Sequence, residues 1–118
     1  FVYAGDSIFD KKDTAKLKNR KALTESGKFL EANAFGLAVV AGYSGMKGAS
    51  ANNKVLMQAR TMVVREYLVQ NFKLNDTRLV TIGMGESDEH GDSGKIEIII
   101  YPAGKTAPLG QKKVSEKR

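Results

Sequence analysis

Leu37-Ala38-Val39-Val40-Ala41-Gly42-Tyr43-Ser44-Gly45-Met46-Lys47-Gly48 joins a continuously apolar run to a glycine-punctuated loop, and a long periodic segment follows it. Five consecutive apolar residues suit a strand covered on both faces. Residues 53–72 then place Leu56, Ala59, Val63, Val64, Tyr67 and Leu68 on one face at helical spacing. The unit therefore reads as a buried strand, a loop and an amphipathic helix. Arg60 falls between Leu56 and Val64, where an apolar side chain is expected. A guanidinium does not shed its charge, so it must find an acceptor. Three acceptors are open: a ligand's anionic group, an internal carboxylate such as Glu97 or Glu86, or solvent reached by snorkelling.

Outward from this unit the elements fall into place. Residues 1–9 suit a first strand interrupted near Gly5-Asp6, and Asn19 is placed to cap a helix over 20–33. Leu23 and Leu30, with Ala22 and Phe29 beside them, mark that helix's buried face. Asn75-Asp76 makes a turn, Leu79–Ile82 a third strand, and Gly83–Gly94 a polar loop. Ile96, Ile98 and Ile100 form one face of a last strand, with Glu97, Ile99 and Tyr101 on the other, and Pro102 closes it. The order is β-α-β-α-β-β. Two helices cannot cover both faces of four strands, so the expectation is an α+β two-layer sandwich: a mixed four-stranded sheet with both helices on one face.

The chain has 118 residues and no cysteine, which suits a single core held without disulfides or Cys-ligated zinc. Net charge is +6, of which residues 105–118 contribute +4. The expected organisation is a folded unit over 1–103 and a basic, flexible tail over 104–118. Opening on Phe1, the chain reads as a segment of a longer protein. It holds no apolar run near the roughly 18–20 residues of a membrane-spanning helix and no signal-peptide pattern.

A glycine loop before a helix N-terminus is a competent anion site. Here it is neither nucleotide fingerprint: Ala49-Ser50 follows Gly48 where the phosphate loop needs Lys and Ser or Thr, and the glycines fall at 42, 45 and 48. His90 stands among Asp88, Glu89 and Asp92, which reads as a solvated acidic loop rather than a metal site. No nucleophile–base pair is marked, so no catalytic residue and no cofactor is assigned. The basic cluster from Lys11 to Lys21 lacks interleaved aromatics, and nucleic acid is not expected as a partner.

Gly42–Ala49, Asn53, Leu56 and Arg60 resemble the pattern G-H-T-D-x-x-G-S…Y-N-x-x-L-S-x-x-R-A of the OmpA-like C-terminal domain family. Tyr67-Leu68, Arg78-Leu79, Gly83-Met84-Gly85-Glu86-Ser87 and Ile96-Glu97-Ile98 resemble its later motifs, so the likeness covers about residues 5–101. The resemblance implies a non-enzymatic periplasmic module, linked to the outer membrane through regions outside this segment. Such domains hold a peptidoglycan stem peptide, the family's Asp gripping an ammonium and its Arg a carboxylate of one diamino acid. It places ligand binding on Arg60, Ser44, Gly45, Met46 and Asn53. Gly45 stands where the family has Asp, and Tyr43 where it has His. Binding is accordingly expected to be weak or altered, favouring a plain carboxylate-bearing ligand. The alternative is a degenerate domain serving as a structural or protein–protein module that meets envelope protein partners.

Overall fold

The computed structural model describes residues 1–11, 14–44, 50–86 and 94–103. Its strands are β1 (Val2–Ala4), β2 (Phe35–Ser44), β3 (Leu79–Glu86) and β4 (Lys95–Pro102). Its α-helices are α1 (Gly5–Ile8), a single turn, α2 (Thr24–Ala32) and α3 (Ser50–Asn71). The strands form one sheet in the order β1-β4-β2-β3, with β2 and β3 parallel and the other neighbours antiparallel. This is the expected α+β sandwich with a mixed sheet. The core lies between that sheet and α2 and α3, and includes Leu23, Leu30, Ala38, Val40, Val64, Leu68, Leu79, Ile96 and Ile98.

Several expected boundaries move, each for a physical reason. The first strand stops at Ala4 because Ile8 and Phe9, adjacent in sequence, are both buried. A strand would send them to opposite faces. The turn of α1 brings both inward, closed by the Phe9 amide donating to the Gly5 carbonyl at 2.9 Å. Asn19 precedes a 3₁₀ turn (Arg20–Leu23) instead of capping an α-helix, and its side chain makes no cap hydrogen bond. Leu23 and Leu30 are buried as expected, but Phe29 is exposed and meets Phe1 edge-on at 5.7 Å. Gly83–Glu86, expected as loop, continues β3, and β2 runs on to Ser44, whose backbone pairs with Glu86. The apolar run 37–41 is covered unevenly: Ala38 and Val40 are fully buried under the helices, and on the other face Ala41 is buried while Leu37 and Val39 stay partly exposed.

The most consequential shift is in α3. Its sealed stripe is Asn53, Met57, Arg60, Thr61, Val64 and Leu68, while Leu56, Val63 and Tyr67 flank it half-buried. The inward face is thus rotated by about one residue from the expected one, and Arg60 sits well inside it. Two glycines set how closely α3 approaches the sheet. A Cβ on Gly42 would stand 2.8 Å from Thr61 Cγ2, and one on Gly83 2.7 Å from the Gln58 backbone nitrogen. The helix backbone therefore lies directly above β3.

Candidate functional site

β2 ends at Ser44 and α3 begins after five intervening residues, so the strand's C-terminal end leads directly into the helix's first turn. Alternation along β2 puts Ala38, Val40, Gly42 and Ser44 on the face turned to the helices. Ser44 is 1% exposed, and Asn53, in the first turn of α3, is 5% exposed. Arg60 follows two turns on. The structure thus brings Ser44, Asn53 and Arg60 to the same β2–α3 layer. Gly45 and Met46 lie outside the described residues, as do His90 and its acidic neighbours. Among the described residues no cluster of His, Cys, Asp or Glu is arranged to hold a metal.

Arg60 is only 1% exposed, so the snorkelling alternative does not hold. Its Nε donates to the Thr14 carbonyl at 2.7 Å and its Nη2 to the Lys11 carbonyl at 2.9 Å. Its guanidinium carbon stands 4.4 Å from the centre of the Phe9 ring, within cation–π range. These three described partners come from one segment. Phe9 and Leu17 bridge its ends, Asp10 donates to the Lys16 carbonyl at 2.8 Å, and Lys18 donates to the Ile8 carbonyl at 2.9 Å. Arg60 is the clasp that fastens this segment to α3.

Other family positions lie apart from this clasp. Tyr43 is on the opposite face of the sheet, where Lys95 Nζ stands 5.0 Å from its ring centre. Lys95 also meets Glu97 at 3.7 Å on that face, which places Glu97 across the sheet from Arg60 and removes it as the internal partner. The Glu86 side chain lies outside what is described. Reading the sequence did not find Phe9, Lys11 and Thr14 as Arg60's neighbours. Two of them act through backbone carbonyls, which any residue carries, so residue type gave no signal. Phe9 carried one: an aromatic ring next to Ile8 at the end of a strand pattern.

The residues from 7 to 98 match the OmpA family. The chain belongs to the OmpA family. Solved structures agree on the fold. The OmpA-like domain of FopA1 from Francisella tularensis subsp. tularensis SCHU S4 superposes with a TM-score of 0.64 at 19% identity, covering 80% of this chain and 70% of that one. An outer membrane protein from Borrelia burgdorferi B31 gives 0.65 at 16% identity, covering 86% of this chain and 85% of that one. No curated protein matches the chain. In this OmpA-family chain Arg60 lies on the sealed face of α3, and no described helix is long and apolar enough to cross a membrane.

Proposed function

We propose that this OmpA-family domain is a non-enzymatic binding module of the bacterial cell envelope, working in the periplasm and linked to the outer membrane, whose ligand is the peptidoglycan stem peptide. The observation that supports the reading is that Ser44 at the end of β2, Asn53 in the first turn of α3 and Arg60 two turns further along that helix are all buried polar side chains of the β2–α3 layer. Arg60 supplies the cation for a ligand carboxylate. Ser44 and the loop that includes Gly45 and Met46 supply donors, and Asn53 orients that loop. Without a carboxylate at Gly45 the ammonium half of a diamino acid goes unread. One charge-assisted hydrogen bond contributes about 1.5–3 kcal/mol, so affinity falls about ten- to hundredfold relative to a complete site.

A second reading is favoured by Arg60 itself. Its Nε and an Nη2 hydrogen, the side-on edge that would hold a carboxylate through two bonds, already face the carbonyls of Thr14 and Lys11. On that reading the domain is a structural or protein–protein module, and its cation works only for its own fold. Pull-down on purified sacculi separates the two. Wild-type retention that strengthens in Gly45→Asp supports stem-peptide binding. Absence of retention in both the wild type and Gly45→Asp overturns it and leaves the structural module.

A further inference from the structure

The outer edge of β3 faces a cleft of about 570 Å³ bounded by Lys54, Gln58 and Met62 of α3 and by Thr81, Ile82, Gly83 and Met84 of β3. Its volume lies within the range of about 300–1,000 Å³ typical of ligand clefts. Among the described strands, β3 pairs with β2 alone. Edge strands are usually blunted by charge or proline, yet Leu79–Gly85 carries neither. The edge is closed at one end, where Arg65 donates from Nε to the Leu79 carbonyl at 2.7 Å. Residues alternate along a strand, so Thr81 and Gly83 share Leu79's orientation and turn their N–H and C=O groups toward the cleft. The side walls are apolar and exposed: Met62 is 58% exposed, Ile82 47% and Met84 39%. Among the described residues that line the cleft, Lys54 carries the one charge.

We propose that this cleft binds an extended polypeptide segment of a partner protein as a fifth strand, antiparallel to β3, with a carboxylate opposite Lys54 and an apolar side chain against Met62. Main-chain hydrogen bonds to Thr81 and Gly83 supply affinity, and the two side-chain contacts supply selection. The direction of α3 sets the register. Gln58 lies over Gly83 and Arg65 reaches Leu79, so Lys54 stands toward the Met84 end. An antiparallel guest enters there, which places its acidic residue near its own N-terminus.

A second copy of the domain is a poor occupant, for a geometric reason. Because α3 lies directly above β3, pairing two β3 edges about 4.8 Å apart would bring two helices to nearly the same separation. Packed helices need about 8–10 Å. A lone peptide strand brings no helix and meets no such clash.

The test is an amide-resolved NMR titration of the 118-residue chain. The probe is an acetylated, amidated heptapeptide of alternating valine and threonine with aspartate at its second position. Shifts confined to Thr81–Met84 and the Lys54–Met62 flank of α3 are expected. Thr81→Pro, which removes an outward donor while leaving the β2 side intact, should abolish them. Lys54→Glu, a surface change, should weaken binding about two- to fivefold, and asparagine in place of the peptide's aspartate should weaken it too. Soluble stem peptide added in excess should leave the titration unchanged, which keeps this test independent of the stem-peptide reading. The proposal is overturned if millimolar peptide shifts nothing in the cleft or if Thr81→Pro binds as the wild type does. A concentration-dependent dimer whose interface maps to β3 would overturn it as well.

Discussion

Replacing Arg60 with alanine should unfasten the 9–17 segment from α3, and the size of the loss follows from three contacts. The bond to the Thr14 carbonyl, at 2.7 Å and half-buried, is charge-assisted and contributes about 1.5–3 kcal/mol. The bond to the Lys11 carbonyl weighs less because Lys11 is exposed and its oxygen can be rehydrated. Stacking on Phe9 at 4.4 Å adds about 0.5–2 kcal/mol. Against these stands the relief of no longer burying a charge. The net is a loss of about 2–4 kcal/mol, a large share of the roughly 5–15 kcal/mol available to a domain. It should lower the melting temperature by about 10–25 °C.

Urea denaturation followed by circular dichroism measures the loss, and limited trypsin digestion locates it. Cleavage after Lys11, Lys16 and Lys18 should accelerate in Arg60→Ala. Arg60→Met refines the test, because it restores apolar volume without restoring either hydrogen bond. If the clasp works through its donors, methionine recovers only part of the stability and the segment stays susceptible to trypsin. A loss below about 0.5 kcal/mol for alanine, with an unchanged digestion pattern, would refute the clasp, since that is the scale of an ordinary surface substitution.

Two further changes test other parts of the fold. Gly83→Ala drives a Cβ to within 2.7 Å of the Gln58 backbone nitrogen, which cannot swing away. It should cost about 1–3 kcal/mol by overpacking, measured as a shift in urea midpoint. Gly27→Ala meets only the Phe72 ring, a movable side chain, and improves helix propensity, so its loss should be the smaller of the two. Tyr3 donates to or accepts from Ser26 Oγ at 2.9 Å, and burial raises its pKa above the ordinary phenol value, with Glu25 adding to the rise and the Ser26 hydrogen bond opposing it. The native state then holds the phenolic proton more tightly than the unfolded chain does. Tyr3's contribution to stability is intact below about pH 10 and declines as pH rises through its native pKa. A 295 nm titration should show a late component that Tyr3→Phe removes and Ser26→Ala moves higher; a component unmoved by Tyr3→Phe would refute the assignment.

The periodic apolar signals were the legible part of this fold. Ile96, Ile98, Ala38, Val40, Leu23 and Leu30 all pack where their spacing put them. What escaped was decided by contacts across the chain. Gly83 and Gly85 look like loop residues, yet pairing with β2 and the descent of α3 onto Gly83 make the stretch a strand. The rotation of α3 hinges on Thr61 and Met57 meeting Gly42, a contact between residues nineteen and fifteen positions apart in the chain. At the site, the apolar spacing around Arg60 put its guanidinium on a buried helix face, and it is buried there. The backbone acceptors that hold Arg60 were not.

That last point changes what Arg60 can testify to. An arginine in a ligand motif is usually weighed as a binding residue, on the assumption that a buried cation needs an external anion to justify it. Here, among the described residues, two carbonyls and an aromatic ring of the segment after α1 already engage it. The same side chain would therefore be required by the fold whether or not a stem peptide ever arrives. Its presence alone therefore decides nothing, although the engagement of its side-on edge favours the structural reading. Position 45 does discriminate. The described clasp is built from Phe9, Lys11 and Thr14, so Gly45→Asp changes the proposed ligand site without removing any of those contacts, and its urea midpoint reports whether the clasp is kept. Gain of sacculus binding in that variant, with unchanged urea midpoint, would show a latent site needing only its acid. No gain would mean that the clasp has taken the guanidinium entirely into the service of the fold.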